Sequence, residues 1–359
     1  MIALGYRLTF HTPAFLGNAE QAGQWRTPPI KALLRQWWRV AYAADHPQGA
    51  HVDAMRHAEG LLFGHAWLDS DRDDRGGKVA ARRSGIRLRL NSWEHGALRS
   101  WERLEQAPVH HPEVERTNHM VGPHAYLGFG PLDGRGGTKL ADKVHAAIKD
   151  GESASLALAV PAEEASRLQQ ALALMHLYGT LGGRGRNGWG SFSLAPLDGT
   201  SPVAVSLNPS LTLPWRDALA SDWPQAIGTD PSGPLVWQTE LLPDWQRLMR
   251  RLAEVKIGLR TQFVFTQGRD ASRPEPRHWL SYPVTNHSVR DWGNNARLPN
   301  SLRFKVRPSA DGKGLRGAIF HMPCLPPPAF RPDRSAIEQV WQQVHKHLDA
   351  ELSLKRTPA

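Results

Sequence analysis

The chain has 359 residues, enough for two domains, and carries 44 Lys and Arg against 34 Asp and Glu, a formal net charge of +10. That surplus points to a polyanionic partner, nucleic acid first and an anionic membrane surface second. No apolar run is long enough to span a bilayer, and the sole cysteine, Cys324, excludes an internal disulfide or a cysteine-rich zinc site.

Residues 2–10 alternate as a strand, and Met1–Phe10 lacks the basic region and cleavage site of a secretory leader, so a cytoplasmic protein is expected. A loop over 11–27 leads to a helix starting at Thr27-Pro28, with threonine as N-cap and proline in the first turn. Ile30, Leu33, Leu34, Trp37, Ala41 and Ala44 form its core face; Lys31, Arg35, Trp38 and Tyr42 form a basic, aromatic strip. Residues 69–83 read as a charged loop, and Ser84–Asn91 as a half-buried strand with a basic outer face. Residues 105–150 look irregular. Within them His110, His111, Glu113, Glu115, His119 and His124 could bind zinc or run acid–base cleavage, but no HExxH is present and a solvated loop is the expectation.

Ala154–Val160 alternates as a strand, 162–178 carries a helical stripe, and a strand follows from Trp189. The order β-α-β…β-α-β suggests an α+β fold with a ferredoxin-like (RRM-type) unit, a theme the second half repeats more weakly. The expected division is residues 1–198, a linker rich in Pro, Ser, Gly and Asp over 199–235, and a second domain over 236–359. In that second half a helix is expected around Asp244–Ala253, strands near Gly258–Phe265, Leu302–Val306 and Gly317–Met322, and a final helix bearing Ile337, Val340, Trp341, Val344 and Leu348. Fourteen tryptophans against five tyrosines could serve the core, base stacking or subunit contacts.

Between helix and strand lies Gly179-Thr-Leu-Gly-Gly-Arg-Gly-Arg-Asn-Gly-Trp-Gly-Ser-Phe192, with six glycines and only Arg184 and Arg186 charged. Glycines bring backbone N–H groups close to a ligand, and two guanidiniums complete a seat for phosphates. A nucleotide-binding loop runs strand, loop, helix and carries GxxxxGK[ST] or GxGxxG; this segment has neither the order nor the motif. An ATPase or dehydrogenase is excluded, and a grip on a polynucleotide backbone is favoured.

The loop resembles the signature of the RAMP superfamily, RNA-binding subunits of CRISPR effector complexes. Phe15-Leu-Gly-Asn-Ala-Glu…Trp25-Arg-Thr-Pro-Pro-Ile-Lys-Ala-Leu-Leu-Arg-Gln-Trp-Trp-Arg39 is similar to the first loop and helix of the subunit-one family of the type III-B (Cmr) complex. Ala125-Tyr-Leu-Gly-Phe-Gly-Pro-Leu132, Arg277-His-Trp-Leu-Ser-Tyr-Pro-Val284 and Arg297-Leu-Pro-Asn-Ser-Leu-Arg-Phe-Lys-Val306 resemble further segments of it. The resemblance implies an α+β fold of two ferredoxin-like (RRM-type) domains with inserted loops, in a non-catalytic subunit of an antiviral ribonucleoprotein. It also implies contact with guide and target RNA near the guide 3′ end, other effector subunits as partners, and no membrane, cofactor or metal. RNA contact is expected at Gly182, Gly183, Arg184, Gly185, Arg186 and Gly188, at Arg26, Lys31 and Arg35, at Trp25 and Trp38 by stacking, and at Arg277, His278 and Arg297. Arg303 and Lys305 are expected on a basic strand face. Two rivals stand beside this reading: a metal-independent endoribonuclease using His119 or His124, and a structural capping adaptor.

Overall fold

Apolar–polar alternation drives the first of two main sheets. The computed structural model describes residues 1–46, 51–66, 68–197, 199–293 and 295–357; the expected end of the first domain, residue 198, lies outside them. The chain divides into two interleaved units. The first comprises Met1–Arg99, Val144–Gly183 and Gly190–Leu211; the second comprises Ser100–Lys143, Arg184–Trp189 and Thr212–Ala359. A sequential division would leave residues 100–143 and 184–189 with the first.

In the first unit, β1 (Ile2–Phe10), β2 (Arg87–Leu90), β3 (Ser153–Val160) and β4 (Phe192–Pro196) form one antiparallel sheet in the order β4-β1-β3-β2. Ile2 pairs with Val160 and Thr9 with Ser153, while Phe10 pairs with Phe192. This register puts Tyr6, Leu8 and Phe10 on the buried side with Leu156, Leu158 and Val160. Helix α1 (Thr27–Ala44) begins one residue earlier than its threonine signal implies, with Arg26 at the cap and no side-chain capping bond. It packs against α3 (Ala165–Tyr178).

The aromatic half of the expected strip of α1 is interior, while Lys31 and Arg35 stay half-exposed. Trp38 and Tyr42 are 0% and 7% exposed. They are covered by α2 (Val52–Phe63), a helix the sequence reading passes over, and by Arg167. The Phe63 ring meets Trp38 edge-on at 5.8 Å, and the Arg167 guanidinium lies 5.9 Å from the Trp38 ring and 5.4 Å from that of Tyr42.

In the second unit, β5 (Val236–Thr239), α4 (Trp245–Thr261), β6 (Leu302–Pro308), β7 (Leu315–His321), α5 (Arg334–Ala350) and β8 (Leu354–Arg356) build a second antiparallel sheet in the order β6-β7-β5-β8. Asp244 caps α4 by accepting from the Arg247 N–H at 2.7 Å. The helix takes in residues 258–261 of the expected strand at 258–265. Gly258, the expected start of that strand, sits inside the helix, where an added Cβ would lie 3.3 Å from His347 Nε2 of α5. The segment read as a linker is partly ordered: Thr212–Pro214, Ile227–Asp230 and Gly233–Pro234 form a small sheet of the second unit. The architecture is thus α+β with several small, mainly antiparallel sheets. Among the described residues no helix is long and apolar enough to cross a membrane.

Trp38→Ala is expected to cost about 3–5 kcal/mol of stability, as for other buried tryptophans. Urea denaturation measures it; a change below about 1 kcal/mol would show that the side chain is not a core element.

Candidate nucleic-acid interface

The glycine-rich segment is a hairpin-like loop whose stem and tip fall in different units. In the stem, the Leu181 N–H donates to Gly190 O at 2.9 Å, and Gly183 N–H donates to Phe15 O at 3.0 Å. Gly190 has φ +65°, and a Cβ there would lie 1.8 Å from Leu181 O, so no other residue fits. The tip, Arg184–Trp189, is two overlapping turns: Asn187 N–H donates to Arg184 O and Gly188 N–H to Gly185 O, both at 2.9 Å.

Three interactions hold the tip within the second unit. The fully buried Trp189 ring packs edge-on against Trp101 at 5.6 Å and Trp245 at 5.8 Å. The Phe304 N–H of β6 donates to Arg186 O at 3.0 Å. The Asn187 amide donates to Leu127 O at 2.7 Å and accepts from Lys256 Nζ at 2.6 Å.

Around this tip the second unit gathers Arg184, Arg186, Lys256, Arg260 and Arg303. Lys256 and Arg260 stand one turn apart on α4. Arg303 is 7% exposed on β6, and its Nε is buried with no hydrogen-bond partner among the described residues. Burial and the neighbouring charge of Arg186 lower its pKa to about 9. Lys256 keeps some solvent-facing surface but is enclosed by protein atoms on nearly every side. That burial, with the charges of Arg260 and Arg184, lowers its pKa to about 7. Among the described residues none of the five forms an ion pair with a carboxylate; the nearby Glu113 is committed to Arg277. A cavity of about 20 Å³ bounded by Arg186, Asn187, Lys256, Arg260 and Asn300 has room for one water-sized group, such as a phosphate oxygen. The arrangement can bind an anion through charge-assisted hydrogen bonds.

The expected site residues divide several ways. Arg184 and Arg186 are exposed at the tip, as are Gly182 and Gly183 on the stem; Gly185 is half-buried. Gly188 is buried instead, with Met249 Sδ 3.2 Å from its Cβ position. Trp25 is 3% exposed, its indole N–H donating to Glu152 at 3.2 Å and its ring 5.2 Å from Phe10, so it offers no face to a base; neither does the buried Trp38. Arg26 turns inward to Gly17 O. Lys31 donates to Phe63 O at 2.8 Å and Arg35 to Glu59 at 2.7 Å; both line an open cleft of about 560 Å³ in the first unit, together with Arg56 and Arg82.

Arg277 and His278 are buried at 5% and 0%, serving structure rather than an open surface. Arg277 pairs with Glu113, and His278 Nδ1 accepts from Glu275 N–H at 3.0 Å. Arg297 is exposed and donates to Ala296 O. Arg303 and Lys305 are interior at 7% and 0%, since β6 is buried on both faces through most of its length. The histidine segment is not a uniformly solvated loop: His111 is 5% exposed, and His124 is fully buried with Nε2 3.0 Å from Gln246 O.

The sequence reading missed Lys256 and Arg260. Ending the helix near Ala253 hid their i, i+4 spacing, which places both on one face of α4.

Comparison with solved structures finds similarity to the crystal structure of apo Cmr1 from Pyrococcus furiosus, with TM-score 0.44 and 14% identity over 96% of this chain and 97% of that one. A cryo-EM structure of the type III-B Cmr-beta complex bound to cognate target RNA and AMPPnP is similar at TM-score 0.44 and 10% identity, over 95% and 99%. A type IV-B CRISPR complex is similar at TM-score 0.30 and 11% identity, over 62% and 100%. No protein-family model and no curated protein matches the chain.

Lys256 gives a testable pH signature. With a folded pKa of about 7 against an ordinary 10.5, it holds fewer protons folded than unfolded between those values. Its contribution to stability therefore falls as pH drops from 10.5 to about 7 and levels off below. In Lys256→Met the advantage over the parent in unfolding free energy should grow across that interval and then stay constant. A flat difference across the interval would refute the buried-ammonium assignment.

Proposed function

We propose that the chain is an RNA-binding subunit of a type III-B CRISPR effector complex that holds guide or target RNA by its backbone and does not cut it. The observation that carries this reading is the set of five cations around the 184–189 tip, with no carboxylate paired to any of them among the described residues. Such a set disfavours its own charges until an anion arrives. A polynucleotide backbone supplies anions in series, and each phosphate neutralised releases counterions.

The fold reading accompanies it. Each main sheet has connectivity β-α-β-β-α-β and, counted within its unit, strand order 4-1-3-2, which supports two ferredoxin-like domains. The motif resemblance supports the superfamily and the type III-B setting, with other effector subunits as partners. In this role sequence choice rests with base pairing between guide and target, while the protein reads backbone and shape.

The double variant Arg184→Ala/Arg186→Ala is expected to weaken binding of single-stranded RNA. It should also make the dependence of log affinity on log salt shallower by about 1.4, roughly 0.7 per lost phosphate contact. Fluorescence anisotropy across a salt series reads both. Unchanged affinity and slope would reject the tip as the RNA site. Incubating the purified chain with repeat RNA in EDTA tests the other half, since specific cleavage would make it an endoribonuclease.

A further inference from the structure

Among the described residues only two large aromatic rings are strongly exposed, Phe129 at 66% and Trp93 at 55%. Phe129 belongs to the second unit, between Gly128 and Gly130. Both glycines are pressed against the tip. A Cβ on Gly128 would lie 3.1 Å from Trp189 Nε1, and one on Gly130, whose φ is +111°, would lie 3.4 Å from Arg184 Nη2 and 3.9 Å from its Nε. The guanidinium of Arg184 therefore lies against the residue next to Phe129, whose Cα is about 3.8 Å away along the chain. The Phe129 backbone is fixed from the other side as well, because Gly130 N–H donates to Leu132 O at 3.1 Å. The result is a ring held out into solvent on an anchored backbone, beside a cation that faces no carboxylate.

We propose that Phe129 is a stacking platform for the base of the nucleotide whose phosphate Arg184 holds. The proposal rests on the RNA-binding reading above and adds the part of the nucleotide that a cationic cluster cannot recognise. A cation cluster alone attracts any polyanion. A π-face beside it selects nucleic acid, and single strands in particular, since bases in a duplex are already stacked. Every base has a π-face, so the contact tolerates all sequences, as a subunit that leaves sequence choice to pairing requires.

The test uses the full-length chain, fluorescence anisotropy, a single-stranded oligouridylate, and an abasic oligomer of the same length and charge. Phe129→Ala and Phe129→Leu are both expected to weaken binding to the oligouridylate about 5- to 150-fold, equivalent to roughly 1–3 kcal/mol. Neither should change binding to the abasic strand or the salt slope, and Phe129→Trp should retain parental affinity. The ring is exposed, so these variants are expected to melt with the parent; a circular-dichroism melt checks this. Equal affinity of parent and Phe129→Ala for oligouridylate overturns the proposal. So does an equal loss on both oligomers, or full retention by Phe129→Leu, which would mean that apolar bulk suffices. If the parent binds neither oligomer, the RNA-binding reading has itself failed. Parental binding that is insensitive to Phe129 but lost on Arg184→Ala/Arg186→Ala would sink the stacking proposal alone.

Discussion

Like charges drawn together out of water raise the free energy of a fold unless something of opposite sign joins them, and the second unit is organised around that constraint. Lys256 and Arg303 illustrate its strength: their surroundings shift both toward the neutral form, Lys256 to about 7 and Arg303 to about 9. Two other cations of the same unit are matched by carboxylates instead. Arg277 has Glu113, and Arg356 is held by Asp230 and Asp349, which raise its pKa against the opposing effect of burial. The contrast separates cations neutralised by carboxylates from a cluster that, among the described residues, forms no ion pair with one.

Holding such a cluster in place requires apolar and neutral anchors, because carboxylates would cancel its charge. The tip is fixed by the Trp101, Trp189 and Trp245 rings, by the neutral amide of Asn187, and by a backbone bond to β6. Much of the tryptophan surplus noted in the sequence lies in the interior: Trp25, Trp37, Trp38, Trp189 and Trp237 are all at most 3% exposed. Tryptophan gives rigidity without net charge, which leaves the charge of the cluster intact.

Much of the architecture was legible from periodicity. The strand over Ile2–Phe10, the helix before the glycine loop and the last helix stand where alternation or a helical stripe put them, because each buries one clean face. The failures have local causes. Helix α2 was passed over, and its buried face carries Glu59, 4% exposed and neutralised by Arg35 and Arg39; a carboxylate there breaks the apolar stripe. Helix α4 was ended near Ala253, eight residues short of Thr261, where it stops. Trp38 was placed on an outer strip because α2, which covers it, went unrecognised and its other cover, Arg167, is remote in sequence. At the site, Arg184 and Arg186 were readable from composition alone, whereas Lys256 and Arg260 needed the true end of a helix, and the exposure of Phe129 needed three dimensions.

The interleaving of the chain limits how the protein can be divided. Five crossings separate the units, and the six-residue tip is an excursion that leaves the first unit's sequence and re-enters it. No single cleavage releases either body intact. A fragment ending near the proline- and serine-rich stretch would keep β1 to β4 but strand the tip without Trp245, Lys256 and Phe304. A chain threaded in this way must be synthesised through most of its length before the loop can find its seat, so the cation-bearing tip is among the last parts that can become ordered as the polypeptide emerges.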